Sequence, residues 1–213
     1  MAEPEQTPVA QPQENIQVIK GLEVVRNRPH MFLGDMATVA PANVVVAALK
    51  ACAELYASCL ANEAADAQLS NRNATMFITA RANAFGFLLE WDTGGRAPSR
   101  DNLDRYCQTL AGPKGIYDAQ PAALLTGLSE RLLITLQTAE DDVFLAYRDD
   151  APDTARHAPD FPPSPRNHVY LKFELRDIEG LGPVSRDMVL GAFAGYTQQI
   201  PGLKLGGLNF RTA

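Results

Sequence analysis

The sequence is poor in the residues that most often carry chemistry: among 213 residues it has three cysteines, three histidines and one tryptophan. Cys52, Cys59 and Cys107 make no CxxC pair and are odd in number, which excludes a thiolate metal knuckle and a closed disulfide framework. Cys52 and Cys59 lie seven apart on a predicted helix, so these thiols are expected to be reduced and buried. His30, His157 and His168 are too scattered to form a metal site and are expected at the surface. There is no G-x-S-x-G, and no cysteine has a base partner nearby. The polar, acidic N-terminus has no apolar segment of the kind a secretory signal needs. No apolar run approaches the roughly 20 residues of a membrane span. Positive charge is also short: the formal net charge is −6, which disfavours DNA, RNA and anionic lipid as bulk partners. These absences lead to the expectation of a cytoplasmic protein without a metal centre, a membrane contact or direct nucleic-acid contact.

What is present suits a globular domain. Hydrophobic residues make up 46% and charged residues 21%, and the length allows a substantial core. Residues 1–14, MAEPEQTPVAQPQE, have little to bury and read as a flexible arm; residues 15–213 read as a single domain. A short helix carries Leu22 and Val25 and stops at Pro29. A longer one, from about residue 42 to 62, presents a broad apolar stripe that includes Val45, Leu49, Cys52, Leu55, Tyr56 and Cys59.

Next come two strands, ATMFITAR and FGFLLEW, joined by a turn over Ala82, Asn83 and Ala84, and then the loop DTGGRAPSRDN. DNLDRYCQTLAG is expected to be a helix capped by Asp101 and ended by Gly112. PKGIYDAQP is expected to be irregular, and AALLTGLSERL to be helical. LLITLQ and VFLAYR form a predicted hairpin closed by the acidic turn 138–142. Residues 149–167 are a Pro- and Asp-rich loop. HVYLKFEL is a strand, residues 184–199 a helix and KLGGLNFR a last strand. This order predicts an α+β fold with a mixed, mostly antiparallel sheet and helices on one face.

The stretch IQVIKGLEVVRNRPHMFLGD is similar to the opening of the ATPase domain in type IIA DNA topoisomerase ATP subunits, the gyrase B and topoisomerase IV kind. Gly21, Leu22, Val25, Arg26, Arg28, Pro29, Met31, Gly34 and Asp35 match its pattern, with Phe32 in place of a tyrosine. The resemblance implies a GHKL (Bergerat-type) two-layer sandwich. It also implies that WDTGGRAP stands where the family has its D-x-G-x-G-I-P loop, and that residues 185–210 form the domain's last helix and strand.

The family's hydrolytic chemistry is expected to be damaged. There, a glutamate activates water and an asparagine four residues later helps to hold Mg²⁺, both on one helical face. Matching the apolar stripes puts Lys50 and Glu54 at those positions, and a charged lysine cannot act as the base. The plainer reading of the two is an i, i+4 ion pair on a solvated face. In the adenine loop Asp92, Gly94 and Pro98 match, but Gly95-Arg96 displaces the second glycine. In the phosphate lid, read as KGIYDAQP, Gly115 remains with help from Gly112, whereas Asp118 adds negative charge and Pro121 removes a donor. The family's adenine-side threonine is replaced by Val169 or His168, and residues 1–15 lack the arm's tyrosine.

The reading that follows is a gyrase B-like domain without ATP hydrolysis. It acts through protein contacts, on a type II topoisomerase or as a homodimer. No cofactor is certain, and ATP with Mg²⁺ belongs to it only if Asp92, Gly94, Pro98 and Gly115 still form a pocket. The alternatives are a divergent ATPase with Glu54 as base and Ser58 in place of the asparagine, and an adenine binder working through Asp92. Trp91 is expected to be core.

Overall fold

The computed structural model describes residues 21–61, 73–92, 94–112, 115–155, 166–197, 200 and 202–211. The expected arm and His157 lie outside them. The chain begins with two short helices, α1 (Glu23–Asn27) and α2 (His30–Leu33). Arg28, which precedes proline, leaves the helical region at φ −139°, ψ 55°, as steric clash with the proline ring requires. Gly34 then stops α2 at φ +78°, a conformation open mainly to glycine. Asp35 accepts hydrogen bonds from the Thr38 N–H (2.9 Å) and hydroxyl (2.7 Å). Asn43 Nδ2 donates to Leu33 O at 2.9 Å, which fixes the approach to α3 (Ala40–Ala61).

Helix α3 packs against two later helices, α5 (Pro121–Leu128) and α6 (Arg186–Thr197), and against strands β2 (Ala84–Trp91) and β8 (Asn167–Leu175). It corrects one expectation. It has 22 residues, and an 18-residue stretch of it with a mean hydropathy of 1.7 is long and apolar enough for a membrane span by length and composition alone. Here 61% of that stretch is buried within the fold, so its apolar surface serves the core.

The main sheet has seven strands in the order β7-β6-β5-β8-β2-β1-β9. Besides β2 and β8 these are β1 (Ala74–Arg81), β5 (Ser129–Gln137), β6 (Asp142–Arg148), β7 (Ala151–Pro152) and β9 (Leu203–Arg211). All neighbours are antiparallel except β1 and β9. Helices together with a mostly antiparallel sheet give the expected α+β organisation. Along β1, Ala74, Met76, Ile78 and Ala80 are buried and alternate with Thr75, Phe77, Thr79 and Arg81, the period of a strand with one face on the core. Phe85 and Phe87 of β2 stack on Phe173 of β8, with ring centroids 5.1 and 6.2 Å apart.

Several local readings need correction. The β1–β2 turn holds two residues, because Arg81 pairs with Ala84, and Ala82 takes φ +45°. Helix α4 (Arg100–Gln108) is capped by Ser99, whose side chain accepts from Asn102 N–H, and not by Asp101. Gly112 does not end it; Ala111–Gly112 form β3, which pairs with β4 (Gly115–Ala119) in a small second sheet. The segment read as irregular is therefore partly strand. Residues 129–132 belong to β5 and not to the preceding helix. Ala151–Pro152 form a short strand inside the predicted loop. The expected surface position of His168 fails as well: it is 2% exposed.

Candidate functional site

Four separate segments line a cavity of about 780 Å³ that is open to solvent. Helix α3 supplies Glu54, Leu55, Ser58 and Ala61 to its wall. The loop after β2 adds residues 96–99, and α4 adds Asn102, Leu103 and Tyr106. Asp141 of the turn between β5 and β6, with Asp142 and Val143 at the start of β6, completes it.

The wall is held by bonds between its parts. Arg96 N–H donates to Cys59 O at 2.8 Å, tying the loop to α3. The Trp91 indole N–H donates to Gly94 O at 2.7 Å, and Asn167 Nδ2 donates to the same oxygen at 2.8 Å. Gly95, at φ +105°, sits where a side chain would press on Trp91 and Cys59. Trp91 itself is fully buried and meets Tyr56 edge-on at 5.1 Å, so it is a core residue, as expected. Thr138 fixes the acidic turn by accepting from the Asp141 N–H at 3.0 Å.

The cavity's charge is predominantly negative. Glu54, Asp141 and Asp142 face one guanidinium, and Arg96 Nε already lies 3.3 Å from Asp141 Oδ2. The Tyr106 hydroxyl donates to Glu54 Oε2. Burial, together with that bond to a carboxylate, holds the Tyr106 phenol well above its ordinary range. Burial also raises Tyr196 of α6 to about 12, with Glu54 as a smaller cause. The three cysteines are buried, and burial lifts the Cys59 and Cys107 thiols to about 12. They fit the expected role of inert packing groups.

The sequence-derived site residues divide. Glu54, Ser58 and Pro98 line the cavity, whereas Lys50, Asp92 and Gly94 do not. Lys50 is exposed on α3, and the expected Lys50–Glu54 ion pair is replaced by the Tyr106–Glu54 hydrogen bond. Asp92 is half-exposed and lies 3.5 Å from Arg166 Nε, so a cation already occupies one side of its carboxylate. The Gly94 carbonyl is taken up by Trp91 and Asn167. Gly115 pairs with Gly112 in the β3–β4 ladder, and Gln120 N–H donates to Leu110 O at 2.9 Å beside it. Among the described residues, no group of three or more His, Cys, Asp or Glu side chains is placed to hold a metal ion.

Sequence reasoning missed Tyr106, Asn102, Asp141 and Asp142 as parts of one site. Asp141 and Asp142 carried a visible signal, an acidic turn, but nothing in the sequence places that turn beside Glu54. Comparison with protein-family models and with curated proteins finds no match.

Proposed function

We propose that this chain is a gyrase B-like GHKL domain that does not hydrolyse ATP and acts through protein contacts, with a type II topoisomerase partner or a second copy as the expected contact. The family assignment rests on the opening motif, and the α+β organisation supports it. The observation that carries the functional reading is the cavity's charge. A nucleotide polyphosphate needs several free N–H donors and cations. This cavity offers Glu54, Asp141 and Asp142, and its Arg96 is already engaged by Asp141. Gly115, the glycine expected to remain of the phosphate lid, pairs with Gly112 in a short strand ladder, which is not the open glycine loop that a phosphate cradle uses.

One observation favours a second reading, the divergent ATPase. Glu54 and Ser58 are one helical turn apart and both line the cavity, the spacing at which a base and a metal-holding group would cooperate. The two readings separate in a thermal unfolding series with millimolar Mg-ATP. Binding to the folded state raises the midpoint by mass action. The proposed function predicts no rise; a rise that grows with nucleotide concentration supports the ATPase.

A further inference from the structure

The same cavity indicates the chemistry of what binds there, and this step rests on the protein-contact reading above. Its volume of about 780 Å³ falls within the roughly 300–1,000 Å³ usual for small-group recognition. The wall is amphiphilic. Leu55, Leu103, Val143 and Pro98 give it an apolar side, while Glu54 and Asp142 give it carboxylates apart from the Arg96–Asp141 pair. Tyr106 holds one Glu54 oxygen, but a carboxylate has about four lone-pair directions. Glu54 therefore keeps acceptor capacity for an occupant.

An anion placed here would meet like charge. A neutral apolar occupant would cover the exposed carboxylates of Glu54 and Asp142 without offering either a hydrogen bond. A cation with an aliphatic stem satisfies both parts of the wall. We infer that the cavity receives a lysine or arginine side chain of a protein partner, with its stem against the half-buried Pro98 and Val143 and its charged head at Glu54 and Asp142. The chain's net charge of −6 favours encounter with such a partner.

The test uses the full chain, labelled with ¹⁵N, and four probes: acetyl-leucyl-arginine amide, its neutral citrulline analogue, spermidine and Mg-ATP. The expected result is that the arginine compound shifts the amides of Arg96, Ala97, Ser99 and residues 102–106. The citrulline compound should bind at least about tenfold more weakly, a difference of about 1.4 kcal/mol, and 0.5 M salt should weaken the arginine compound. Glu54→Gln with Asp142→Asn should lower its affinity by about tenfold or more while the amide spectrum stays native-like. If that double variant fails to fold, Asp142→Asn alone, at an exposed strand end, decides with a smaller loss.

Equal binding of the citrulline compound overturns the inference, as does binding unaffected by the carboxylate variants. Spermidine binding more tightly than the arginine compound also overturns it, by pointing to a free polyamine. Silence from every probe sinks this inference and leaves the protein-contact reading standing. Shifts of the same amides by Mg-ATP sink both.

Discussion

At the scale of single residues, the opening motif has a structural role. Arg26 reaches across the fold to Asp150 in the turn between β6 and β7, where Asp149 and Asp150 both take positive φ. Arg176 lies next to the same turn, 3.7 Å from Asp149, and donates to Ser129 O at 2.8 Å. Val25 packs so closely on Gly127 that a Cβ there would come within 2.8 Å of its side chain. These contacts account for Arg26, Val25, Gly34 and Asp35 without any nucleotide, because they lock α1 and α2 onto the body of the domain.

His168 belongs to this scale too. Burial holds its pKa below the ordinary value of 6.5, opposed by smaller pulls from the Arg166 backbone, Glu90 and Asp142. A histidine whose folded pKa is lowered is fully stabilising above the unfolded value. As pH falls below about 6.5 the unfolded chain takes up the proton first, and that stability is lost. Urea unfolding followed from pH 7.5 to 5 should therefore show a falling midpoint, and His168→Leu should flatten the slope. An unchanged slope in the variant would remove His168 as the cause.

At the scale of elements, the sequence is most legible where the pattern is long. Helix α3, strands β1, β2, β6, β8 and β9, and helix α6 all fall close to their expected bounds, because an apolar pattern sustained over seven or more residues leaves little ambiguity. The failures cluster at short segments. Ser99 lies two residues before Asp101, the expected cap of α4, and both residue types favour that position. The structure has Ser99 accepting from Asn102 N–H at 3.3 Å. Ser99→Ala should cost about 1 kcal/mol in chemical denaturation, the usual worth of such a cap, whereas Asp101→Ala should cost only a few tenths. The reverse order would restore the sequence-based assignment. Residues 129–132 misread as helix because a good helical pattern precedes them, and only pairing with β6 and β8 draws them into a strand. Intrinsic preference yields to tertiary contact there.

At the scale of the whole molecule, the cavity was the least legible feature. Its wall comes from residues as far apart as Glu54 and Asp142, and sequence spacing within one helix cannot report such a meeting. Aligning apolar stripes put Lys50 first and Glu54 second, but the fold sets Glu54 and Ser58 at the cavity and leaves Lys50 in solvent. The loop expected to read adenine was half legible. Pro98 reaches the site, while Asp92 lies by Arg166 and the Gly94 carbonyl is bonded to Trp91 and Asn167. The acidic wall opposes a polyphosphate, which is what the proposed absence of ATP hydrolysis rests on at this scale. Phosphate release by the purified full chain in saturating Mg-ATP, beside its Glu54→Gln variant, tests the central claim most directly. The account predicts the same background rate for both proteins; release by the wild type that Glu54→Gln abolishes would contradict it.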